Sequence, residues 1–295
     1  MQKFLKILIA TAFIFCNSFY AHSENTITSN TFVINSTPNG LGNKMFFLAS
    51  QYAYAQKFNK DFCLKEPFPK GFKVPFRICT ENEIKKSLTK ACFFPRFSPI
   101  FYKVEDCLTM THRYLYGYLQ DERFFAEEKD KIKEIFKFTE PLSDKLKSLS
   151  DKIQNNNSVS VHIRRGDYLK NPKIFPTMPL SYYEDGADYI QSKTKEPIHL
   201  FVFSDDTEWV TKNFKSKHSF TIVPQNSTIE DLHLMSLCQH NIIANSTYSW
   251  WAAYLNKNPN KIVIAPDYWS DKLKKWGKDI VLKDWIILHV KKDEK

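Results

Sequence analysis

The stretch of sequence that decides the fold is residues 158–167, Ser158-Val159-Ser160-Val161-His162-Ile163-Arg164-Arg165-Gly166-Asp167. Its first six residues include several β-branched side chains and predict a buried strand. Charged residues follow at once. A buried strand that ends in charged residues is typical of a parallel sheet covered by helices on both faces, where ligands bind beyond the carboxyl ends of the strands.

The second half of the chain repeats this strand-then-helix pattern. Predicted strands are His199–Phe203, Phe220–Val223, Asn241–Ala244 and Lys261–Ala265. Predicted helices are Leu180–Gln191, Glu208–Phe214, a helix from Ser227 to about His240 with a capping box, and Ser249–Asn256. Repeated units of this kind indicate an α/β fold with a parallel sheet.

The first half begins with a predicted strand, Thr31–Asn35, and a helical pattern that starts at Met45. The glycine-containing loop Asn39–Asn43 lies between them, and a helix N-terminus placed after such a loop suits a phosphate. Residues 60–120 show no pattern that we assign, and residues 125–155 indicate helix. An asparagine run at 155–157 predicts the boundary between domains 31–155 and 156–295.

The chain of 295 residues carries a formal net charge of +10, mostly from scattered lysines. Scattered lysine is typical of a solvated surface, and no nucleic-acid-binding motif accompanies it. We therefore predict no nucleic-acid partner. The adjacent pair Arg164 and Arg165 is the informative part of the charge.

Residues 1–30 have the pattern of a secretory signal peptide or an uncleaved membrane anchor. We expect an exported or membrane-associated protein, and a cytoplasmic face is not excluded. The cysteines at 63, 79, 92 and 107 form two disulfides or remain buried thiols, and the sequence does not decide between these alternatives.

Arg164 and Arg165 either grip phosphate oxygens through their planar forks or form an interdomain salt bridge. His162 shares a face with Arg164 and is either a ligand contact or a satisfied core histidine. Asp167 is a candidate general base, sugar ligand or turn residue. The candidate catalytic residues are therefore Arg164, Arg165 and Asp167.

The remaining candidates follow predicted strands or begin predicted helices. Ser204-Asp205-Asp206 caps the next helix or contacts a nucleotide, and metal binding is disfavoured. The cluster Asn245–Ser249 caps a helix or offers hydroxyl and N–H groups to a phosphate. The full set of candidate donor-binding residues is Gly40, Gly42, Asn43, His162, Asp205, Asp206, Asp231, Asn245, Ser246, Thr247 and Ser249.

In combination these segments resemble the α-1,2-fucosyltransferases of glycosyltransferase family 11. The most specific blocks are the H-x-R-R-x-D motif at 162–167 and the N-S-T-Y-S-W-W motif at 245–251. The other matching residues are 39–46, 159–161, 168, 203–206, 231–232, 234–236, 243–244, 252–253, Pro266, Trp269 and Trp285. Lys44 stands where the family usually has glutamine, and residues 60–120 match no motif.

The resemblance implies a GT-B-like fold, with two Rossmann-like domains facing a cleft. It implies that the first domain lies on the acceptor side and that the second binds GDP-fucose. The reaction is expected to invert the fucose anomeric carbon without a metal or other cofactor, and the expected acceptor is a galactose-terminated glycan. Arg164 would contact the donor β-phosphate, His162 and Asp231 would lie near the guanosine, and Asn43 and Ser246–Ser249 near the diphosphate.

Overall fold

A computed structural model describes residues 31–34, 40–88, 119–270 and 280–291 of the protein. The predicted signal or anchor segment 1–30, Asn39, Cys92 and Cys107 lie outside these residues. Within the described part of the chain, no helix is both long and apolar enough to cross a membrane.

The first half contains a small two-stranded parallel sheet and several helices. Its elements are β1 (Thr31–Ile34), α1 (Leu41–Lys57), β2 (Asp61–Leu64), α2 (Glu81–Leu88), α3 (Lys129–Ile135) and α4 (Asp144–Gln154). Strand β2 was not predicted. It pairs in parallel with β1, and a disulfide joins its Cys63 to Cys79, with the two Cα atoms 5.1 Å apart.

The second half is built on a six-stranded sheet in which every strand is parallel to its neighbours. Its elements are β3 (Asn157–Ile163), α5 (Leu180–Lys193), β4 (Ile198–Ser204), α6 (Thr207–Asn213), β5 (Ser219–Ile222), α7 (Thr228–Leu237), β6 (His240–Ile242), α8 (Thr247–Leu255), β7 (Val263–Pro266) and β8 (Ile286–Leu288). The predicted α/β class is confirmed.

The strand order is β5-β4-β3-β6-β7-β8. Counted within this sheet, the order is 3-2-1-4-5-6, which is that of a Rossmann nucleotide-binding sheet. The chain leaves β3 toward one edge and later returns to β6 on its other side. Ligands of such sheets bind where this reversal occurs, beyond the carboxyl ends of the two central strands.

Several predicted boundaries are corrected by the structure. Helix α7 ends at Leu237 rather than near His240, because Cys238 is extended and His240 already belongs to β6. Strand β6 ends at Ile242 rather than Ala244. Helix α8 begins at Thr247 rather than Ser249.

Two predictions in the first half are also corrected. The helical pattern over residues 125–155 is interrupted between α3 and α4, where Pro141 lies, because proline cannot continue a helix. Gly42 and Asn43, predicted in a loop, form the first turn of α1. The predicted domain boundary at 155 falls between α4 and β3 and stays a prediction.

Helix α1 is buried against α8, so the two halves share one hydrophobic core. The Phe46 ring lies 4.5 Å from that of Trp250 and 5.1 Å from that of Trp251. At Gly42 the two backbones touch, since a Cβ there would lie 2.5 Å from the carbonyl carbon of Thr247. This contact places the start of α1 beside the start of α8.

Candidate active site

The candidate site lies at the carboxyl edge of the central sheet, where β3 and β6 end side by side. Arg164 follows β3 directly, and Asn245 and Ser246 come shortly after β6 and precede α8. The order of the sheet makes this edge the crevice in which Rossmann sheets bind ligands.

Arg164 lies at this edge with its side chain 30% exposed. One guanidinium nitrogen lies 2.7 Å from Asp205 Oδ2, and the other donates to Asp167 Oδ1 at 2.6 Å. Arg164 therefore forms salt bridges, but both partners belong to the second half of the chain, so these are not the interdomain salt bridge considered as an alternative. The Asp167 side chain is 64% exposed, so the pair opens toward solvent.

Asp205 holds the turn that follows β3. Its Oδ1 accepts a hydrogen bond from the backbone N–H of Arg165 at 2.9 Å. A Cβ on Gly166 would lie 2.4 Å from Asp205 Oδ2, so only glycine leaves room for this carboxylate. Asp205 thus fixes both the backbone beside Arg164 and the direction of its guanidinium.

Arg165 points away from Arg164 and toward α6. Its guanidinium carbon lies 3.5 Å from the centre of the Trp209 ring, and its Nε donates to Asp206 Oδ2 at 3.1 Å. Asp206 also caps α6 by accepting from the backbone N–H of Trp209. Of the alternatives considered for this aspartate, capping is observed, and Arg165 is placed to anchor α6.

His162 is buried beneath Arg164, with its ring edge-on to that of Tyr248 at 5.4 Å. Burial, with a smaller contribution from Arg164, lowers the pKa of His162 to about 3. The imidazole is therefore neutral at physiological pH. Its Nδ1 is buried and makes no hydrogen bond within the described residues.

Asp231 lies in the first turn of α7 and accepts a hydrogen bond from Asn226 Nδ2 at 2.9 Å. Burial raises the pKa of this carboxyl group. The neighbouring Tyr248 hydroxyl donates to the carbonyl of Thr228 at 2.6 Å and ties α8 to the start of α7.

The N-termini of α1 and α8 are joined through Asn43. Its Oδ1 accepts from Thr247 Oγ1 at 2.9 Å and from Gln120 Nε2 at 2.6 Å. Neither helix has a side-chain cap at its N-cap residue, Gly40 or Ser246, and neither has an acidic residue in its first turn. Two helix N-termini with backbone N–H groups and positive dipole ends therefore meet here, and such ends favour an anion.

Asn245 and Ser249 have structural contacts. The amide nitrogen of Asn245 donates to the carbonyls of Pro176 and Trp269 at 2.9 and 3.0 Å. Ser249 Oγ is buried and donates to the Ser246 carbonyl. Asn245 therefore anchors the segment that follows β3 rather than presenting its amide nitrogen to the crevice.

Sequence reasoning missed Gln120 and Tyr168 as parts of this site. Gln120 comes from a segment that showed no assignable pattern. Tyr168 donates from its hydroxyl to the Asn245 carbonyl at 2.8 Å, and its ring lies 5.4 Å from the guanidinium carbon of Arg164. Its place directly after the arginine motif was the available signal.

Within the described ranges, one group of side chains has the spacing of metal ligands: Glu184, Asp188 and His218. It lies outside the crevice, and Asp188 already pairs with Lys217 and His218 at 2.8 Å each. Asp205 and Asp206, for which the sequence disfavours metal binding, are each paired with an arginine.

The arrangement combines one partly exposed guanidinium, a buried neutral histidine and two helix N-termini. The guanidinium and the helix N-termini are positive groups, and such groups stabilise negative charge that develops on a phosphate. The geometry is suited to binding an anionic group.

Comparison with known proteins indicates a glycosyltransferase family. The profile described as Glycosyl transferase family 11 matches residues 5–289. An alpha-1,2-colitosyltransferase of Escherichia coli is 34% identical over 79% of this chain and 90% of its own. The galactoside 2-alpha-L-fucosyltransferase SEC1 of Bos taurus is 32% identical over 33% of this chain and 28% of its own.

Among solved structures, Arabidopsis thaliana FUT1 in complex with GDP aligns with a TM-score of 0.48 and 14% identity, covering 83% of this chain and 72% of that chain. The family match spans nearly the whole chain and includes every residue of the crevice. This protein belongs to glycosyl transferase family 11.

Proposed function

We propose that this protein transfers L-fucose from GDP-fucose to the 2-hydroxyl of a β-galactoside and inverts the anomeric carbon. The observation that carries the proposal is Arg164, held at the carboxyl end of β3 by Asp205 and Asp167, in a chain of this family. The name of the bovine relative supports a galactoside acceptor, and both relatives' names support a 1,2 linkage.

In the proposed reaction, the acceptor oxygen attacks the fucose anomeric carbon as the bond from that carbon to the β-phosphate oxygen breaks. Arg164 and the N-termini of α1 and α8 stabilise the negative charge that grows on the departing GDP. Asp167, exposed and adjacent to Arg164, accepts the proton of the acceptor hydroxyl. His162 and Asp231 contact the nucleoside. No metal takes part.

Asp167 serves this role because its carboxylate stands at the solvent-facing side of Arg164, whereas Asp205 is tucked beneath the turn. An acceptor arriving from solvent meets Asp167 first. Arg165 and Asp206 stabilise α6 and position the turn that carries both groups.

We further propose that the protein works in an oxidising compartment, reached through the segment 1–30. The Cys63–Cys79 disulfide supports this location, since disulfides persist in exported proteins and are rare in the cytosol.

A second donor is favoured by one observation. The bacterial relative that covers most of this chain is named a colitosyltransferase. Colitose is fucose without its 3-hydroxyl, so a nucleotide-activated colitose has the same diphosphate and a similar ring.

The test incubates the purified protein with GDP-fucose or GDP-colitose and a panel of galactosides, with and without EDTA. We expect GDP release that depends on the acceptor, an α-1,2 product by NMR, and no loss of rate in EDTA. A different linkage, or binding of GDP-fucose without transfer to any galactoside, would contradict the proposal.

A further inference from the structure

Two aromatic side chains, the partly buried Tyr168 and the exposed Phe175, stack on the segment that follows Arg164. The rings of Tyr168 and Phe175 are 5.3 Å apart and inclined by 29°. Phe175 is 37% exposed, although it is a large apolar side chain. Single exposed apolar residues are ordinary on protein surfaces. A stacked pair beside a reaction site has a stronger claim to bind a ligand.

The pair, here called the aromatic platform, is held rigidly. The Tyr168 hydroxyl donates to the Asn245 carbonyl at 2.8 Å, and Asn245 Nδ2 donates to the Pro176 carbonyl at 2.9 Å. The Phe175 N–H donates to the Asn171 carbonyl at 2.9 Å. One buried asparagine thus fixes both ends of the segment. A surface ordered before a ligand arrives loses little entropy on binding.

The platform also lies next to the groups assigned to the reaction. The Tyr168 ring is 5.4 Å from the guanidinium carbon of Arg164, and Phe175 stacks on Tyr168. Asp167, the proposed base, is the residue before Tyr168. An acceptor whose hydroxyl reaches Asp167 must therefore place its ring close to the platform.

We propose that Tyr168 and Phe175 bind the apolar face of the acceptor galactoside, an inference that rests on the proposed function. The C–H groups at carbons 3, 4 and 5 of β-galactose form one apolar face, which packs against aromatic rings. The equatorial 2-hydroxyl projects sideways from a ring bound in this way and can point toward Asp167. In the proposed function Arg164 and the helix N-termini bind the diphosphate. The exposed Phe175 ring is therefore free to bind the acceptor.

Steady-state kinetics of Phe175→Ala test this assignment. We expect the KM for lactose or N-acetyllactosamine to rise about tenfold, the loss that follows from removing one aromatic contact. The KM for GDP-fucose should stay unchanged, and Phe175→Tyr should restore the acceptor KM. A rise in the donor KM instead would assign the ring to the nucleotide and overturn the proposal.

The matched control is Phe220→Ala. Phe220 is also 37% exposed and contacts another ring, that of Phe214, edge-on at 5.2 Å, but lies on the edge strand β5. We expect it to leave both KM values unchanged. Equal effects of the two alanine variants would show a general loss of packing and would overturn the assignment.

Saturation-transfer NMR with lactose or N-acetyllactosamine and unlabelled GDP separates this inference from the proposed function. If fucose transfer fails but the sugar signal is lost in Phe175→Ala and kept in Phe220→Ala, the platform stands and the proposed reaction falls. If transfer succeeds but neither the sugar signal nor the acceptor KM depends on Phe175, the platform falls alone. A wild type that gives no signal with either sugar also overturns it.

Discussion

Arg164 is held by two carboxylates yet remains partly exposed, so the direction of its guanidinium is fixed before any ligand binds. Groups fixed in advance toward developing charge need no rearrangement during the reaction. Arg165, its neighbour in sequence, packs on the Trp209 ring and pairs with Asp206. Two adjacent arginines in one motif therefore have different tasks.

Arg164→Ala should lower kcat by about 10²–10³, since it removes one preorganised donor to the leaving group. Initial rates with GDP-fucose and the best acceptor measure this. Arg77→Ala is the matched control, because Arg77 is an exposed arginine that pairs with Asp61 and Glu83 in the first half. An Arg164→Ala rate within a few-fold of the control would remove Arg164 from the mechanism.

At the scale of elements, Gly42 lets α1 approach α8. A methyl group at this position would meet backbone atoms of Thr247 and Tyr248 at 2.5 Å, and backbone cannot move aside as a flexible side chain can. Trp251 Nε1 also donates to the Gly42 carbonyl at 3.0 Å. The joined helix N-termini therefore depend on this one glycine.

Gly42→Ala should push the two helices apart, weaken GDP binding about tenfold or more and lower the melting temperature. Calorimetry with GDP and thermal unfolding measure the two effects. Gly40→Ala separates geometry from packing, since a Cβ there meets no atom within 4 Å while its φ of 84° strains the backbone. If Gly42→Ala bound GDP as the wild type does, the joined helix ends would not form the diphosphate site.

The capping box of α7 gives a prediction about pH. Hydrogen bonds from Ser143 and Ser227 lower the pKa of Glu230 to about 2, against 4.5 for an ordinary glutamate. Because the folded pKa is depressed, the ionised carboxylate stabilises the fold fully above pH 4.5. That contribution is lost as the pH falls toward 2.

Glu230→Gln should therefore reduce the free energy of unfolding by about 1 kcal/mol at pH 7, a typical loss for a cap. The difference from wild type should shrink as the pH is lowered from about 4.5 toward 2. Urea unfolding at several pH values measures it. Glu208→Gln, an exposed glutamate in the first turn of α6, should show a smaller change. If the difference in unfolding free energy between Glu230→Gln and wild type stayed constant down to pH 3, ionised Glu230 would not be its cause.

The elements show what the sequence predicts well. Strands β3 and β4 were placed to within a residue or so, because strands buried on both faces are marked by apolar runs with polar residues at their ends. The Ser227 capping box was found because all its members are local. Contacts between distant residues were not predictable. The need for glycine at 42 comes from Thr247, and the pairing of Arg164 with Asp205 comes from another strand.

At the scale of the whole molecule, the two halves differ in what stabilises them. The first half has only two described strands and one described disulfide, Cys63–Cys79, whereas the second has the six-stranded sheet. The small sheet packs few elements, so a cross-link contributes a large share of its stability. The unpredicted β2 carries one end of that link.

Replacing both Cys63 and Cys79 by serine should reduce the free energy of unfolding by about 3 kcal/mol, as expected for a loop of this length. Denaturant unfolding measures it. Reductant should destabilise the wild type by a similar amount. A wild type indifferent to reductant would show that the bond contributes little. A reductant effect that persists in the double variant would reveal a second bridge.

The backbone contact between α1 and α8 can form only after both helices have been synthesised. The ribosome completes the first helix long before it reaches residue 247, and each helix contributes one of the two N-termini of the proposed diphosphate site. A partly synthesised chain that lacks α8 therefore lacks the complete proposed site. Were the protein exported before folding, it would cross the membrane inert, and nucleotide sugar in the compartment of synthesis would be spared.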